Sequence, residues 1–344
     1  MILVFFSGVG YDSFVGGRTV RLARGLSENH QVHFVEMPSP RRWKIGTRKQ
    51  DGLFVHTLPP GSQYLFFRRN KAYLSDHIPL RKAHLIVSQP VWGPFTATLQ
   101  AAGLHYDCLD HVSIHAPGRN GEFLARCEED LIRRADRIFA VSPELVRLLN
   151  SPEKCCLLPN AAPDELKGKR VPSAKEPDPP VIGFHGALYE WIDYALLEEI
   201  AEAFPQFRLR LAGDVRNKSK LKNLMRHPNV ENLPAFRFEE LSGIVSSFTL
   251  GIVPFLDDIV TRCSDPLKHY EYLAMGRGVV STAKANFPVP REVFRCAKRE
   301  DFLAELRGML DAIPDTQACR KAVEGHFWSD RCAELVRLLR ECES

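Results

Sequence analysis

Short apolar runs alternate with amphipathic stretches along the first half of the chain, the arrangement expected when buried parallel strands are covered by helices. Residues 1–6 read as the first strand, 18–26 as a helix, and 32–35, 52–58 and 84–88 as further strands. Strands at 106–109 and 137–141 extend the series, with a charged helix over 121–135 between them. Near residue 160 the pattern breaks. Leu157-Leu158-Pro159-Asn160 forms a last strand and turn, and 163–180 is rich in Pro, Lys, Asp and Glu, the composition of a linker. A second cycle opens at Val181-Ile182-Gly183-Phe184, with a helix over 193–203 and strands at 208–211 and 250–254. Residues 302–313 are helical by period, and Phe327-Trp328-Ser329-Asp330 reads as the capped start of a closing helix over 331–342, with Trp328 as its anchor. The expectation is an α/β chain of two Rossmann-like domains, 1–162 and 181–325, joined by the linker 163–180 and followed by a tail over 326–344. Two such units in tandem, each with its own first strand, imply a cleft between them.

Composition narrows the class. A chain of 344 residues is longer than one core usually grows, and 44% hydrophobic with 26% charged residues excludes a disordered chain. No apolar run approaches the roughly 20 residues that cross a bilayer. Met1 leads straight into Ile-Leu-Val-Phe-Phe, a buried strand rather than a secretory signal. None of the nine cysteines forms a C-x-x-C pair, and the adjacent Cys155 and Cys156 are badly placed to bridge each other, so reduced thiols and a cytoplasmic location are expected. The net charge of +4 is uneven: 20 Lys+Arg face 14 Asp+Glu in residues 1–160, and 26 face 28 in the remainder. A weakly basic first half suits an anionic partner, either a membrane or a phosphorylated acceptor. Nucleic acid is not expected, because the excess is modest and no recognition motif accompanies it.

The most informative segment is Asp265-Pro266-Leu267-Lys268-His269-Tyr270-Glu271-Tyr272-Leu273-Ala274-Met275-Gly276-Arg277-Gly278-Val279-Val280-Ser281-Thr282. Asp265 is expected to cap a helix beginning at Pro266, which would gather free N–H groups and the positive dipole end at one spot that attracts phosphate. Leu267 and Lys268 lie in that first turn, where the ammonium reinforces the anion site. Glu271, one turn on, can accept two hydrogen bonds from the vicinal hydroxyls of a ribose. Gly276 and Gly278 end the helix and lead into the apolar Val279-Val280. The alternative is a plain amphipathic helix with Leu267, Tyr270, Leu273 and Ala274 in the core and Lys268 and Glu271 solvated.

This string resembles the donor-binding helix of GT-B glycosyltransferases, where a Glu-Tyr-Leu-Ala-x-Gly-x-Pro-Val-Val phrase carries a ribose-binding glutamate. The resemblance implies that role for Glu271. It corresponds to the second glutamate of the Glu-x7-Glu pattern of the large retaining families. Cys263 stands at the first position, so a retaining mechanism is not supported, and Gly278 replaces the proline. The turn Gly183-Phe184-His185-Gly186-Ala187-Leu188-Tyr189-Glu190-Trp191-Ile192-Asp193 is similar to a phrase of bacterial surface-polysaccharide transferases related to the teichuronic acid and xanthan-type enzymes. Gly186 there leaves room for a ligand, although an ordinary tight turn reads the same way. The Arg and Lys that many relatives use for pyrophosphate are missing, which puts weight on Lys268 and backbone donors. Leu211-Ala212-Gly213-Asp214 resembles the strand end where such enzymes hold the nucleotide base, with Pro234-Ala235-Phe236 and Val253-Pro254-Phe255 as apolar edges. The resemblance further implies that the last helix returns to the N-terminal domain.

In the first half, Gly8-Val9-Gly10-Tyr11-Asp12 follows the first strand and Gly16-Gly17-Arg18 opens the first helix. Gly8 and Gly10 would approach the donor diphosphate with Arg18 as a counter-charge, or the loop only packs tightly. The spacing is not G-x-G-x-x-G, which disfavours NAD or FAD. For the catalytic base, Asp110 is the first choice and His111 the second in Tyr106-Asp107-Cys108-Leu109-Asp110-His111, since xanthan-type glucuronosyltransferases have a proposed aspartate base near this point. The alternative is that Asp107 and Asp110 only cap or bond loop amides. Asp257-Asp258 and Asp107-x-x-Asp110 are not the Asp-x-Asp metal pattern, and His111 with His115 lacks the Glu of a zinc helix, so no metal is expected and the only co-substrate is the nucleotide-sugar. Arg41-Arg42-Trp43-Lys44 and Tyr64-Leu65-Phe66-Phe67-Arg68-Arg69-Asn70-Lys71 mix aromatic and basic residues, which suits either peripheral contact at the inner face of the membrane or a partly buried helix with a charged rim. The expected activity is transfer of a hexosyl or uronosyl group from a nucleotide-diphosphate sugar, UDP favoured, to a lipid-linked or polysaccharide acceptor in bacterial surface polysaccharide synthesis. A sugar-nucleotide epimerase of the same fold and a catalytically silent nucleotide-binding homologue are the alternatives.

Overall fold

A strand made only of large apolar residues, such as Ile-Leu-Val-Phe-Phe at positions 2–6, is satisfied only inside a sheet covered on both faces. It occupies that position in the computed structural model, which describes residues 1–12, 17–36, 46–58, 63–112, 119–175 and 178–341. The chain divides into two units: the first 159 residues with the C-terminal segment from Trp328, and Asn160–Phe327.

Unit 1 is an eight-stranded sheet of β1 (Ile2–Phe6), β2 (Gln31–Glu36), β3 (Gly46–Gln50), β4 (Leu53–Thr57), β5 (Ala83–Val87), β6 (Gly103–Cys108), β7 (Arg137–Ala140) and β8 (Cys155–Leu157). Their order is β3-β4-β2-β1-β5-β6-β7-β8. Every pairing is parallel except β3 with β4. The strand order reverses at β1 and β5, so the loops beyond their carboxyl ends flank a crevice. The helix Gly17–Leu26 buries Val20, Leu22, Ala23 and Leu26. Against it lies the last helix, Trp328–Arg340, whose Cys332 thiol donates to the Leu22 carbonyl at 3.8 Å. That helix begins three residues earlier than the sequence pattern suggests, because Trp328 is itself buried as part of its first turn.

Unit 2 is a six-stranded parallel sheet of β9 (Val181–His185), β10 (Arg208–Ala212), β11 (Val230–Leu233), β12 (Leu250–Val253), β13 (Gly278–Ser281) and β14 (Phe294–Cys296). The order β11-β10-β9-β12-β13-β14 is that of a doubly wound nucleotide-binding sheet, with its reversal between β9 and β12. The stretch read as a linker is partly structural: Leu166 and Ala174 are buried, and the fully buried Arg277 donates to the carbonyls of Pro172 at 3.0 Å and Ser246 at 2.7 Å. A guanidinium enclosed in this way must have such acceptors, and they tie the segment into unit 2.

Candidate functional site

The unit 2 sheet has its reversal at the end of β9, and the chain turns there at once. Gly186 adopts φ +113°, and Gly213, the residue after β10, adopts φ +147°. The two turns nest: Gly186 N–H donates to Ala212 at 2.8 Å and Leu188 N–H to Asp214 at 2.8 Å. A Cβ on Gly213 would stand 2.0 Å from the Gly186 carbonyl oxygen, and a Cβ on Gly186 would stand 2.7 Å from both Cε and Nζ of Lys268. Backbone and ammonium are thus brought together by the absence of side chains.

Lys268 belongs to the helix Leu267–Ala274. The helix is pinned to the sheet by Tyr272, whose hydroxyl accepts the His185 N–H at 3.1 Å and whose ring lies where a Cβ on Gly251 would come within 2.4 Å of it. At its C-terminus, Gly276 N–H donates to Leu273 and Arg277 N–H to Tyr272, both at 2.9 Å, with Gly276 at φ +67°. This is a Schellman closure. At the N-terminus the expectation is corrected: Asp265 does not cap the helix, and Pro266 occupies the cap position without a side-chain cap bond. Proline holds the residue before it extended. The Asp265 carboxylate instead accepts the Asn160 N–H at 2.5 Å and the Tyr270 hydroxyl at 2.9 Å, while Asn160 Nδ2 donates to the Asp265 carbonyl at 2.7 Å. Asp265 therefore fixes the approach to the helix, and Leu267 and Lys268 form its half-buried first turn.

Tyr270, Leu273 and Ala274 are in the core, as an amphipathic helix requires, but Glu271 is not on a solvated face. It is 8% exposed, and its Oε2 lies 3.3 Å from Nε2 of His185, itself buried at the end of β9. Burial, and secondarily the Lys268 charge, holds the His185 imidazole well below its usual protonation range. Burial also lowers Lys268, with the Glu271 carboxylate acting in the opposite sense. The ammonium stands 5.3 Å from the Phe184 ring centre and 5.7 Å from that of Phe255. The strand end therefore combines a desolvated cation, a carboxylate and a neutral imidazole. An arriving phosphate would satisfy the cation, and sugar hydroxyls can donate to the carboxylate. His185 was not singled out from sequence. A polar residue closing an apolar strand just before a glycine is the signal that could have found it. Next to this cluster, Phe236 meets His185 edge-on at 6.2 Å, and Asp214 accepts the Tyr189 hydroxyl at 2.9 Å.

In unit 1, Gly8 packs against β5's exit: a Cβ there would stand 2.1 Å from Gln89 Cγ. Gly10 lies beside Glu36, which accepts the Tyr11 N–H at 2.9 Å. Arg18 is placed otherwise than a counter-charge for a ligand requires. It is buried, its Nε donates to the Asp107 oxygens at 3.0 and 3.2 Å, and its Nη1 donates to the Pro159 carbonyl at 3.0 Å. Asp107 thus serves an ion pair, not a cap. Asp110 and His111 follow β6 and are both half-buried. Burial raises the Asp110 carboxyl to about 7. Of the other residues considered, Gly16, His115 and 41–44 lie outside the described residues. In the helix Gln63–His77, Arg68 and Arg69 are exposed, and Lys71 donates to Thr98 O at 2.5 Å.

No family model matches the chain. A Bacillus subtilis protein named as a teichuronic acid biosynthesis glycosyltransferase, TuaH, is 27% identical in an alignment of 229 residues that covers 60% of this chain and 58% of that protein's length. Among solved structures, sucrose-phosphate synthase from Thermosynechococcus elongatus superposes with a TM-score of 0.78 at 16% identity, covering 99% of this chain and 98% of the other. Anabaena HepE in complex with UDP-glucose gives a TM-score of 0.72 at 13% identity over 99% and 100% of the two chains. The chain has the GT-B fold of glycosyltransferases: two Rossmann-like units, with the C-terminal helix returning to the first.

Proposed function

We propose that this chain is a glycosyltransferase that binds a nucleotide-diphosphate sugar, with UDP as the favoured nucleotide, at the carboxyl end of the unit 2 sheet. The observation that carries the reading is the inward-facing Glu271 beside Lys268, set at the sheet reversal where doubly wound folds bind nucleotides. In this reading Lys268 and the open amides of the Leu267–Ala274 helix meet the diphosphate, the Gly186 and Gly213 turns let it approach the backbone, and Glu271 accepts the ribose hydroxyls. The developing negative charge of the departing diphosphate is met by Lys268, and no metal is assigned a role.

Asp110 is the proposed base that takes the proton of the acceptor hydroxyl, and His111 is the second choice. A hexosyl or uronosyl group passes to a lipid-linked or saccharide acceptor of bacterial surface polysaccharide, in keeping with the name of the Bacillus relative. Among the described residues no helix is long and apolar enough to cross a membrane. Contact with the inner face of a membrane is proposed for the basic rim at Arg68 and Arg69.

Melting curves with UDP, GDP and their sugars provide the test. A nucleotide at a hundred times its Kd stabilises the fold by about 2.7 kcal/mol. UDP should raise the melting temperature and Glu271→Ala should diminish the rise. Stabilisation by GDP alone would overturn the choice of base, and an unaltered UDP response in Glu271→Ala would overturn the donor site. Release of UDP from a UDP-sugar only when a saccharide acceptor is present would separate transfer from epimerisation and from silent binding.

A further inference from the structure

We propose that His185 is a positioning residue: through Nε2, 3.3 Å from Glu271 Oε2, it holds the Glu271 carboxylate in the orientation that receives the ribose hydroxyls of a nucleoside diphosphate. The inference rests on the donor-site reading above.

The residue is fixed through its backbone and its ring. The His185 main-chain N–H donates to the Tyr272 hydroxyl at 3.1 Å, and the imidazole ring meets Tyr272 edge-on at 5.0 Å and 80° and Phe236 at 6.2 Å and 70°. Glu271 sits one residue before Tyr272 on the helix that this contact anchors, so strand end and helix move as one piece. A site assembled on two such elements holds its geometry more closely than one carried on loops.

The chemistry is consistent with orientation rather than neutralisation. The groups that face the carboxylate include His185, the Lys268 ammonium and the Tyr272 side chain. Burial and the neighbouring ammonium both oppose a second proton on the imidazole. A neutral imidazole brings no charge of its own, and its Nε2 edge, in contact at 3.3 Å, orients one carboxylate oxygen while leaving the charge in place. Lys268 supplies the positive field, so the two neighbours divide the work: one sets the charge and the other sets the plane.

Calorimetric titration with UDP tests this in five proteins: wild type, His185→Phe, His185→Gln, Glu271→Ala and the His185→Phe/Glu271→Ala double variant. Loss of the Nε2 contact with a buried carboxylate should weaken UDP roughly tenfold in His185→Phe. His185→Gln places an amide donor near the Nε2 position and should recover most of that loss. In the Glu271→Ala background, His185→Phe should change the affinity no further. If His185→Phe does not fold, His185→Met replaces it in both backgrounds. Wild-type affinity in the folded Phe or Met variant, or the same fold-loss with and without Glu271, would overturn the positioning role while leaving the donor site standing. Undiminished UDP affinity in Glu271→Ala would bring down the donor site itself.

Discussion

Asp110 and Glu36 show how differently two carboxyls in unit 1 are treated. Burial pushes both upward. For Glu36 that push is outweighed by donors from Arg48, Thr57 and the Tyr11 N–H, which hold it below its ordinary value. Asp110 has burial alone among its causes and reaches about 7. A base works best when its protonation midpoint is close to the working pH. The kcat/KM for transfer should therefore climb as pH rises through about 7, where the carboxyl gives up its proton, and then level off. Asp110→Asn should lower kcat by about a hundredfold to ten-thousandfold. The stability consequence has a definite sign. The folded value lies above the unfolded one, so the wild type loses stability as pH rises from the ordinary carboxylate range toward 7, and Asn avoids that loss. The variant should melt higher than wild type at pH 8 while being nearly inactive. A flat pH–rate profile, or an active Asn variant, would remove Asp110 from the mechanism.

Among the elements, the inner strands were legible because each is an apolar run of the right length. The runs 181–184 and 208–211 became β9 and β10 with a single residue added. Gly-Thr-Arg-Lys-Gln carries no such pattern and yet forms β3, because it pairs with β4 at the sheet edge and its Arg48 reaches the buried Glu36. Three-residue β14 is too short for a period to register. In the site, the phrase around Glu271 was readable as a helix, but the partner facing it from the end of β9 was not. Likewise nothing local showed that Asp265 would turn to Asn160, 105 positions away. Gly213 in the nested turns and Gly243 in a helix allow a direct comparison of two glycines. Gly213→Ala would drive a Cβ into the Gly186 carbonyl at a φ that side chains rarely adopt, at a cost of at least about 1–3 kcal/mol, and would shift the turn against which Lys268 lies. Gly243 lies in the helix Leu241–Ser246 with no atom within 4 Å of an added Cβ, so Gly243→Ala should be neutral or stabilise by about 0.5–1 kcal/mol. Urea unfolding and UDP titration of both variants decide the matter: equal stability and equal affinity would show that the two turns are not coupled.

At the scale of the molecule, the chain leaves unit 1 at Asn160 and rejoins it at Trp328, so unit 1 is the discontinuous one. Its closing contact joins Cys332 to Leu22, 310 positions apart. Gly25 makes the approach feasible, since a Cβ there would stand 2.8 Å from the Cys332 sulfur. The last helix buries Trp328, Leu335, Leu338 and Leu339, an apolar face that only the completed chain can lay against the helix Gly17–Leu26. Unit 2 is uninterrupted in sequence and holds the proposed donor site. Damage to the last helix should therefore act on unit 1 and spare nucleotide binding. Leu335 is fully buried, and Leu335→Ala should cost about 2–5 kcal/mol through lost contacts and the cavity left behind. Calorimetric melting should show the penalty in the transition that UDP does not shift, with UDP affinity below that transition staying within about twofold of wild type. If UDP affinity instead falls in step with stability, the two units do not act independently, and the donor site depends on the closure of unit 1.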